Sequence, residues 1–234
     1  MCGRVALFSP PSYFARFLEA ALAADLDPDG RASWNVGPQR SLFAVAEHDE
    51  ARVLDRYRWG LVPSWAKDPS IGNKLFNARG ETVAEKPSFR TAFAKRPCVI
   101  PVDGFYEWDH LPGNDRQPYF FTRRDEQPLL FAGLFENWWN REDEAAPPLA
   151  TCTIITTTPN DDVDGIHDRM PVVLSPEDVE VWLNVAEHEP AERASLLRPA
   201  PKGTLTYYGV SKAVGSVKND GPELTEPVEP QSLF

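Results

Sequence analysis

The residue with the clearest chemical potential is Cys2, because it directly follows the initiator methionine. Removal of Met1 would leave an N-terminal cysteine that carries both an α-amine and a thiol. The reference pKa of an α-amine is about 7.7 to 8.0, so roughly a tenth of it is neutral at pH 7 and can attack a carbonyl. With an aldehyde, such an aminothiol can form a Schiff base and then a thiazolidine ring. A lone cysteine is more often a buried structural residue, so this chemistry needs support from other positions.

Three other polar residues suit a reaction at this amine. Asn77 offers hydrogen-bond donors and an acceptor without charge, so it could orient the amine without quenching its nucleophilicity. Glu107 stands between two aromatic residues, where desolvation would raise its pKa toward that of a useful general acid and base. His167 lies in a loop-like segment before a predicted strand, which can present its imidazole to a substrate. A turn asparagine, a surface glutamate and a structural histidine are the ordinary alternatives.

Metal and nucleotide sites have no basis in the sequence. His48, His110 and His188 fall in acidic or turn-rich surroundings, and no histidine or cysteine stands at ligand spacing from His167. Zinc would require three or four such ligands. The chain also has no P-loop, GxGxxG or CxxC motif. We therefore expect no metal and no cofactor.

Two helices are predicted from hydrophobic periodicity. Residues 11–24 place apolar side chains at spacings of three and four, with Ser9 or Ser12 available as the cap. A second helix should begin at Ser175, with Pro176 in its first turn and Asp178 completing a capping box. Its buried face would contain Val179, Trp182, Leu183 and Ala186.

Short apolar runs bounded by Pro, Gly and Asp predict strands. They cover residues 42–46, 53–58, 98–102, 119–121, 129–134, 151–157, 171–174 and 205–210. Strands outnumber helices and do not alternate regularly with them. We therefore predict an α+β fold with a mixed or antiparallel, barrel-like sheet core and a few peripheral helices.

The length of 234 residues favours one domain over residues 1–234, since a chain of this size can bury about 70% of its unfolded surface in one core. We expect 139–148 to form a surface insertion remote from any binding face, and 219–234 to form an irregular tail. No apolar run approaches the 18 or so residues of a membrane span, and three cysteines are too few for a disulfide scaffold. These features predict a cytoplasmic protein without a membrane partner.

The formal charge of −11 argues against a polyanionic partner, but the charge is unevenly distributed. Residues 51–100 contain ten basic and four acidic residues, a net charge of +6. This basic block could mark an anion-binding face, and a solvated surface of mixed charge is the alternative.

Several motifs occur in order along almost the whole chain. The chain begins Met-Cys-Gly-Arg and continues with Trp-Gly-Leu-Val-Pro-Ser-Trp at 59–65, Asn-Ala-Arg-Gly-Glu-Thr at 77–82 and Ser-Phe-Arg at 88–90. It then has Cys-Val-Ile-Pro-Val-Asp-Gly-Phe-Tyr-Glu-Trp at 98–108 and Ile-His-Asp-Arg-Met-Pro at 166–171. On these motifs the sequence resembles the SOS response-associated peptidase (SRAP) family, whose members shield abasic sites in single-stranded DNA. It departs from the family pattern at Trp-Asn-Val-Gly-Pro (34–38), where Tyr-Asn-x-Ala-Pro is usual, and at Gly215, where asparagine is usual.

The resemblance implies that the mature chain starts at Cys2 and crosslinks to the aldehyde of an abasic site, in the DNA damage (SOS) response. It implies catalytic roles for Cys2, Asn77, Glu107 and His167, with Glu107 transferring protons during ring opening and Schiff-base formation. The partner would be single-stranded DNA containing abasic sites, bound by a monomer on nucleoid DNA. Peptidase activity, at least on the chain's own Met1, and lyase activity at the abasic site would be possible with the same groups.

DNA contacts are expected from motif residues of two kinds. Guanidinium groups suit phosphate oxygens, which favours Arg4, Arg79, Arg90 and Arg169. Apolar faces can support unstacked bases, which favours Pro38 and Trp65 first, then Phe89 and Trp108. The alternatives are surface ion pairs for the arginines and core packing for the aromatic residues.

Two functions of other classes remain open. An N-terminal-nucleophile amidotransferase also begins Met-Cys-Gly, but the Gly-His-x-Arg motif for glutamine binding is absent. A non-covalent single-strand DNA-binding module would need the basic and aromatic residues without Cys2. Only a chain that starts at Cys2 can form the thiazolidine, so the mass of the mature protein separates these functions.

Overall fold

Two β-sheets form the framework of the chain in a computed structural model that describes residues 2–48, 51–109, 116–143 and 145–228. The strands are β1 (Val5–Leu7), β2 (Ala21–Leu22), β3 (Ser33–Val36), β4 (Ser41–His48), β5 (Ala51–Trp59), β6 (Asn77–Arg79), β7 (Pro97–Val102), β8 (Gly104–Trp108), β9 (Pro118–Arg123), β10 (Leu129–Trp138), β11 (Leu149–Thr157), β12 (Met170–Pro171) and β13 (Leu205–Gly209). The helices are α1 (Pro11–Phe17), α2 (Arg90–Lys95), α3 (Pro176–Leu183) and α4 (Pro190–Ser195), with 3₁₀ turns at Pro69–Lys74, Lys212–Gly215 and Pro222–Thr225.

The larger sheet closes into a five-stranded mixed barrel. Strands β5, β4, β7, β10 and β11 are antiparallel neighbours in that order, and a parallel pairing of β11 with β5 completes the circle. The closing pairs are Thr151 with Arg58 and Cys152 with Trp59. Closure removes the exposed strand edges and leaves an apolar interior, where both Cys98 and Cys152 are fully buried.

The smaller sheet is antiparallel, with the strand order β13-β9-β8-β1-β3. Its inner face packs on the barrel through Phe105, whose ring stacks on Phe121 at 4.9 Å and meets the barrel residue Phe131 edge-on at 5.7 Å between centroids. Such aromatic pairs add to the stability gained from burying their area. This packing fixes β8, and β1 paired with it, relative to the barrel strand β10.

The predicted fold class is confirmed: the molecule is a single α+β domain with a closed mixed sheet, an antiparallel sheet and few helices. Seven of the eight predicted strands are present. Of the 171–174 run only Pro171 lies in a strand, β12, and Val173 forms an isolated bridge to Phe131. The sequence did not predict β1, β2, β3, β6 or β8. Four of these have two to four residues, too few for a periodic signal. Strand β8 is buried on both faces and includes Glu107, so it shows no alternation of apolar and polar residues.

The first predicted helix is too long. Helix α1 ends at Phe17, and Glu19 takes a positive φ of 53°, which turns the chain so that Ala21–Leu22 pairs with β5 as strand β2. Neither predicted cap is used, because the N-cap is Pro10 and Ser9 instead donates to Asp103.

The second predicted helix is confirmed with its capping box. The Ser175 hydroxyl accepts from the Asp178 amide, and the Asp178 carboxylate accepts from the Ser175 amide. Val179, Trp182 and Leu183 are buried as expected, whereas Ala186 lies beyond the end of α3 and is exposed.

The predicted surface insertion at 139–148 and the predicted irregular tail at 219–234 are both tied to regular structure. Segment 139–148 links β10 and β11, which pair down to Trp138 and Leu149; residue 144 lies outside the described residues. In the tail, a 3₁₀ turn covers Pro222–Thr225 and Pro227 forms a bridge with Val210, while 229–234 lie outside the described residues. Among the helices of the described chain, none has the length and hydropathy needed to cross a bilayer.

Candidate active site

The antiparallel pairing of β1 with β8 places Cys2 next to Glu107. Val5 pairs with Phe105, and the Tyr106 amide donates to the Arg4 carbonyl at 2.9 Å. Continuing this register toward the N-terminus brings residues 2 and 3 beside Glu107. The negative charge of Glu107 contributes to the raised pKa of the Cys2 thiol, which is consistent with this proximity.

Asn77 reaches the same point from the barrel. It begins β6, which pairs in parallel with β11 through Ile154. Its Nδ2 atom donates to the Cys2 carbonyl at 2.6 Å. Its Oδ1 atom is buried and accepts no hydrogen bond from the described residues, so an acceptor is available beside the backbone of Cys2. An unused buried acceptor costs stability and is retained where function needs it.

The thiol of Cys2 is fully buried, and this desolvation is the main cause that raises its pKa. The free thiol is therefore protonated at neutral pH. Any reaction of the sulfur requires a group that accepts its proton, and the nearby Glu107 carboxylate is suited to that task.

Glu107 is 3% exposed, and its burial raises the pKa of its carboxyl to about 7. The positive charge of the amino terminus acts in the opposite direction with a smaller effect. A carboxyl with a pKa near neutrality can both take and give a proton at physiological pH, which is the property expected of a general acid and base.

His167 completes the cluster from the loop between β11 and β12. Its Nε2 atom lies 3.6 Å from Oε2 of Glu107. Its Nδ1 atom accepts from the Arg169 amide at 3.0 Å and lies 3.1 Å from the exposed Asp168 carboxylate. With Nδ1 accepting, Nε2 carries the proton of the neutral imidazole and faces Glu107, so the two side chains can exchange a proton.

Arg169 fixes this loop against the barrel. Its guanidinium donates to both carboxylate oxygens of Glu81, at 2.6 and 2.9 Å, and to the Thr156 carbonyl at 2.7 Å. Bidentate pairs of this kind add geometric specificity. The four predicted catalytic residues, Cys2, Asn77, Glu107 and His167, are thus brought together, although sequence separations between them reach 165 residues.

The raised pKa of Glu107 predicts a pH-dependent stability change for Glu107→Gln. Below about pH 4.5 the carboxyl is protonated in both the folded and unfolded chains, so it contributes no difference. Between about pH 4.5 and 7 only the unfolded chain loses the proton, and folding stability falls as pH rises. Glu107→Gln should therefore raise the free energy of unfolding at pH 8 by up to about 3 kcal/mol and change it little at pH 4. Urea unfolding at both pH values measures this, and equal effects would contradict a buried carboxyl with a raised pKa.

The four predicted DNA-binding arginines divide into two pairs. Arg79 and Arg90 are exposed, and their side chains make no hydrogen bond within the described residues. Arg4 instead donates to Asn35 Oδ1 at 2.6 Å and to the Val214 carbonyl at 2.5 Å, with its guanidinium 5.8 Å from the Trp108 ring. Together with the Glu81 pair of Arg169, these contacts favour positioning roles for Arg4 and Arg169 over direct phosphate binding.

The apolar candidates differ in exposure. Trp65 is 51% exposed and Pro38 is half-buried, so both can offer a face to a base. Phe89 is 4% exposed and packs in the main core, which leaves its ring without an accessible face. Trp108 is half-buried beneath Arg4. Core packing thus accounts for Phe89, as the alternative interpretation of the sequence allowed.

The basic block of residues 51–100 is not a single face. Arg52 forms salt bridges with Glu47 and Glu180, and Arg96 with Glu136. Among the described residues Arg79 and Arg90 form no salt bridge, although the charge of Arg79 helps to lower the pKa of Glu81. Part of the net +6 is therefore neutralised locally.

Segment 139–148, predicted to lie remote from any binding face, follows a residue that contacts the loop of Trp65. Trp138 Nε1 donates to the Ala66 carbonyl at 2.7 Å, and Trp138 packs with Val62 and Ala66. The loop of the predicted base contact Trp65 therefore lies beside the start of 139–148.

Gly60 begins the loop that carries Trp65. Its φ is +141°, and a Cβ at this position would lie 2.5 Å from the Gly72 carbonyl oxygen, so this turn requires glycine.

Sequence reasoning missed three supporting residues, two of which, Glu81 and Asn35, lie inside the quoted motifs. Glu81 holds Arg169, Asn35 holds Arg4, and Asp220 accepts from the Trp34 amide at 2.6 Å. The available signal was the presence, in distant motifs, of groups that can pair with an arginine: the carboxylate of Glu81 and the side-chain amide of Asn35. In the described part of the chain, no group of three or more His, Cys, Asp and Glu side chains is arranged to hold a metal ion.

Comparison with known proteins agrees with the sequence motifs. Residues 1–217 match the family model described as SOS response associated peptidase (SRAP). The abasic site processing protein YoqW of Bacillus subtilis (strain 168) is 42% identical over 228 residues, covering 97% of this chain and 99% of that protein. YedK of Escherichia coli (strain K12), which has the same descriptive name, is 34% identical over 232 residues, covering 97% and 100%.

Relatives also extend to vertebrates and to solved structures. The abasic site processing protein HMCES of Gallus gallus is 37% identical over 230 residues, covering 85% of this chain and 67% of that protein. A crystal structure of a protein from Bacteroides thetaiotaomicron superposes with a TM-score of 0.84 at 26% identity, covering 97% of this chain and all of the other. The chain therefore belongs to the SOS response associated peptidase (SRAP) family.

Proposed function

We propose that this protein processes abasic sites by forming a covalent crosslink to single-stranded DNA through Cys2. The observation that carries the proposal is the convergence on Cys2 of Asn77, with its unused Oδ1 acceptor, and of the Glu107 and His167 pair. The names of the relatives supply the substrate class. Removal of Met1 would turn the amide nitrogen of Cys2 into an α-amine next to these groups.

The first step opens the abasic sugar and forms a Schiff base. Glu107 as carboxylate accepts the proton of the anomeric hydroxyl while the C1′–O4′ bond breaks, and the ring oxygen O4′ takes a proton from His167 or from water, which gives the aldehyde and a free hydroxyl. The neutral α-amine then attacks the aldehyde carbon, and protonated Glu107 or His167 gives a proton to the departing hydroxyl, so one water is released. Asn77 Oδ1 can accept from the amine and hold its lone pair toward the aldehyde.

The second step closes the ring. The Cys2 sulfur adds to the imine carbon and the imine nitrogen gains a proton, so the thiazolidine has the same composition as the Schiff base. Burial keeps the thiol protonated, and Glu107 can accept that proton as the sulfur attacks. The intramolecular geometry of a five-membered ring favours this step.

The same groups support two further activities that we propose as possible outcomes of this site. A Schiff base can lose a proton from the adjacent sugar carbon and eliminate the 3′ phosphate, which would be lyase activity. Thiol-dependent removal of Met1 would be autopeptidase activity. We also propose that the chain acts as a monomer in the cytoplasm, on nucleoid DNA when bound. Its three free cysteines fit a reducing compartment.

An incubation of the purified protein with single-stranded DNA that contains one abasic site tests the proposal. We expect a slowly migrating band on a denaturing gel that survives heating. The same strand without the abasic site should give no such band. The absence of any heat-stable product from the abasic strand would contradict the proposal.

We expect the exposed arginines to govern the salt dependence of DNA binding. Each phosphate contact contributes about −0.7 to the slope of log affinity against log salt for single strands. Arg79→Ala and Arg90→Ala should each flatten the slope by somewhat under one unit. Arg52→Ala is the matched control, because its guanidinium is engaged by Glu47 and Glu180. Fluorescence anisotropy across a salt series measures the slopes, and identical slopes in all three variants would remove Arg79 and Arg90 from the interface.

A further inference from the structure

A groove of about 550 Å³ lies between β3, the residues on either side of it and the C-terminal segment 217–220. Three basic residues line it: Arg31, Arg40 and Lys218. All three are exposed, and none of their side chains forms a hydrogen bond or salt bridge within the described residues. None belongs to the basic block at 51–100 or to a motif that suggested DNA binding.

The groove has a net positive charge in a chain whose formal charge is −11. Asp220 is the acidic residue among those that line it. Its carboxylate already accepts from the Trp34 amide at 2.6 Å and from the Ser33 hydroxyl at 3.0 Å. Elsewhere, Arg52, Arg96, Arg123, Arg169 and Lys202 are paired with carboxylates. Three cations without carboxylate partners in one groove therefore point to an anionic ligand.

A hydrogen bond joins the wall of the groove to Arg4, near Cys2. Asn35 lines the groove, and its Oδ1 atom accepts from Arg4, which is two residues from Cys2. The amide of Asn35 donates to the carbonyls of Val214, Ser216 and Asn219, which fixes the groove wall that carries Lys218. The same asparagine therefore joins Arg4, near Cys2, to both walls of the groove.

Apolar surface accompanies the charge. Val217 is 50% exposed at the edge of the groove, and Gly37 packs so closely that a Cβ would lie 3.3 Å from Val217. Grooves that bind single strands without sequence preference combine positive charge along the backbone with apolar faces for bases. Pro38, which follows Gly37, supplies a second such face.

We propose that this groove binds the phosphate backbone of the strand on one side of the abasic site. The proposal rests on the proposed function for its substrate and adds a binding track formed by Arg31, Arg40 and Lys218. It explains why segment 217–220 is tied to the Trp-Asn-Val-Gly-Pro motif: together they form the two walls of the track.

The test uses the full chain with Arg31→Ala, Arg40→Ala and Lys218→Ala combined. The matched control combines Arg16→Ala, Arg56→Ala and Lys202→Ala, three exposed basic residues outside the groove. Affinity is measured for two oligonucleotides, one with the abasic site near the 5′ end and one with it near the 3′ end. The groove variant should lose about tenfold or more in affinity for one oligonucleotide only, and its salt slope should flatten by about two units. The unaffected oligonucleotide shows that the variant is folded.

Two outcomes would overturn the groove proposal. One is an affinity for both oligonucleotides equal to that of the control variant. The other is an equal loss of affinity for both oligonucleotides, which would indicate a general effect of charge and not a binding track on one side of the abasic site. Binding of undamaged strands of the same length distinguishes failure of the groove proposal from failure of the crosslinking proposal. The groove substitutions should lower the affinity for these strands even if no crosslink forms.

Discussion

Cys2→Ala is expected to abolish the heat-stable DNA adduct completely. The variant still has an α-amine after removal of Met1, so it can form a Schiff base but has no sulfur to close the ring. Cys2→Ser should retain at most a labile linkage, because a hydroxyl closes such a ring less favourably than a thiol. Trapping with borohydride should reveal the Schiff base in both variants, while heating without borohydride should leave neither adduct intact.

Cys98→Ala is the matched control for this prediction. Cys98 is also fully buried and has a strongly raised thiol pKa, but it lies inside the barrel on β7. Loss of its side chain should lower stability through the cavity that it leaves, and adduct yield should stay at the wild-type value. A heat-stable adduct at wild-type yield in Cys2→Ala would contradict the mechanism.

Glu107→Gln is expected to slow adduct formation by about a hundred- to ten-thousand-fold near pH 8, with little change in affinity for undamaged DNA. The ring-opening step uses the carboxylate form, and burial raises the pKa of this group to about 7. The wild-type rate should therefore fall as pH drops below about 7, and its advantage over the variant should shrink in the same range. Single-turnover rates measured from about pH 5 to 9 test both the size and the pH dependence.

Two comparison variants make this result specific. Glu136→Gln removes another buried carboxylate, one held by Arg96 outside the site, so it should lower stability without lowering the rate. His167→Ala should slow the reaction by about ten-fold or more, because it removes the proton partner at 3.6 Å from Glu107. Equal losses of rate and DNA affinity in Glu107→Gln would instead make Glu107 a binding or folding residue.

The sequence predicted the periodic parts of the fold well. Seven of the eight apolar runs are strands, each buried on at least one face, and the capping box at Ser175 is a local signal that tertiary structure did not override. The closure of the barrel was not predictable, because the parallel pairing of β5 with β11 joins residues more than 90 positions apart. The early end of α1 depends on Glu19 adopting a left-handed conformation, which the local pattern does not signal.

The candidate site was predicted as a set of residues but not as a geometry. Motif order identified Asn77, Glu107 and His167, yet their approach to Cys2 depends on the unpredicted short strands β1, β6 and β8. The sequence predicted the same role, phosphate binding, for all four motif arginines, whereas their contacts in the structure differ. Arg169 is engaged by Glu81, whereas Arg79 is exposed, and only tertiary contacts distinguish them.

The central claim is that the α-amine and thiol of Cys2 together form the link to DNA. Intact-mass analysis of the protein before and after incubation with an abasic oligonucleotide tests it most directly. We expect the free protein to lack Met1, and the product to equal protein plus oligonucleotide minus one water. Peptide mapping should place the link at Cys2, with its sulfur resistant to alkylation. A protein that retains Met1 and still forms the stable product, or a product whose Cys2 sulfur remains open to alkylation, would contradict the account.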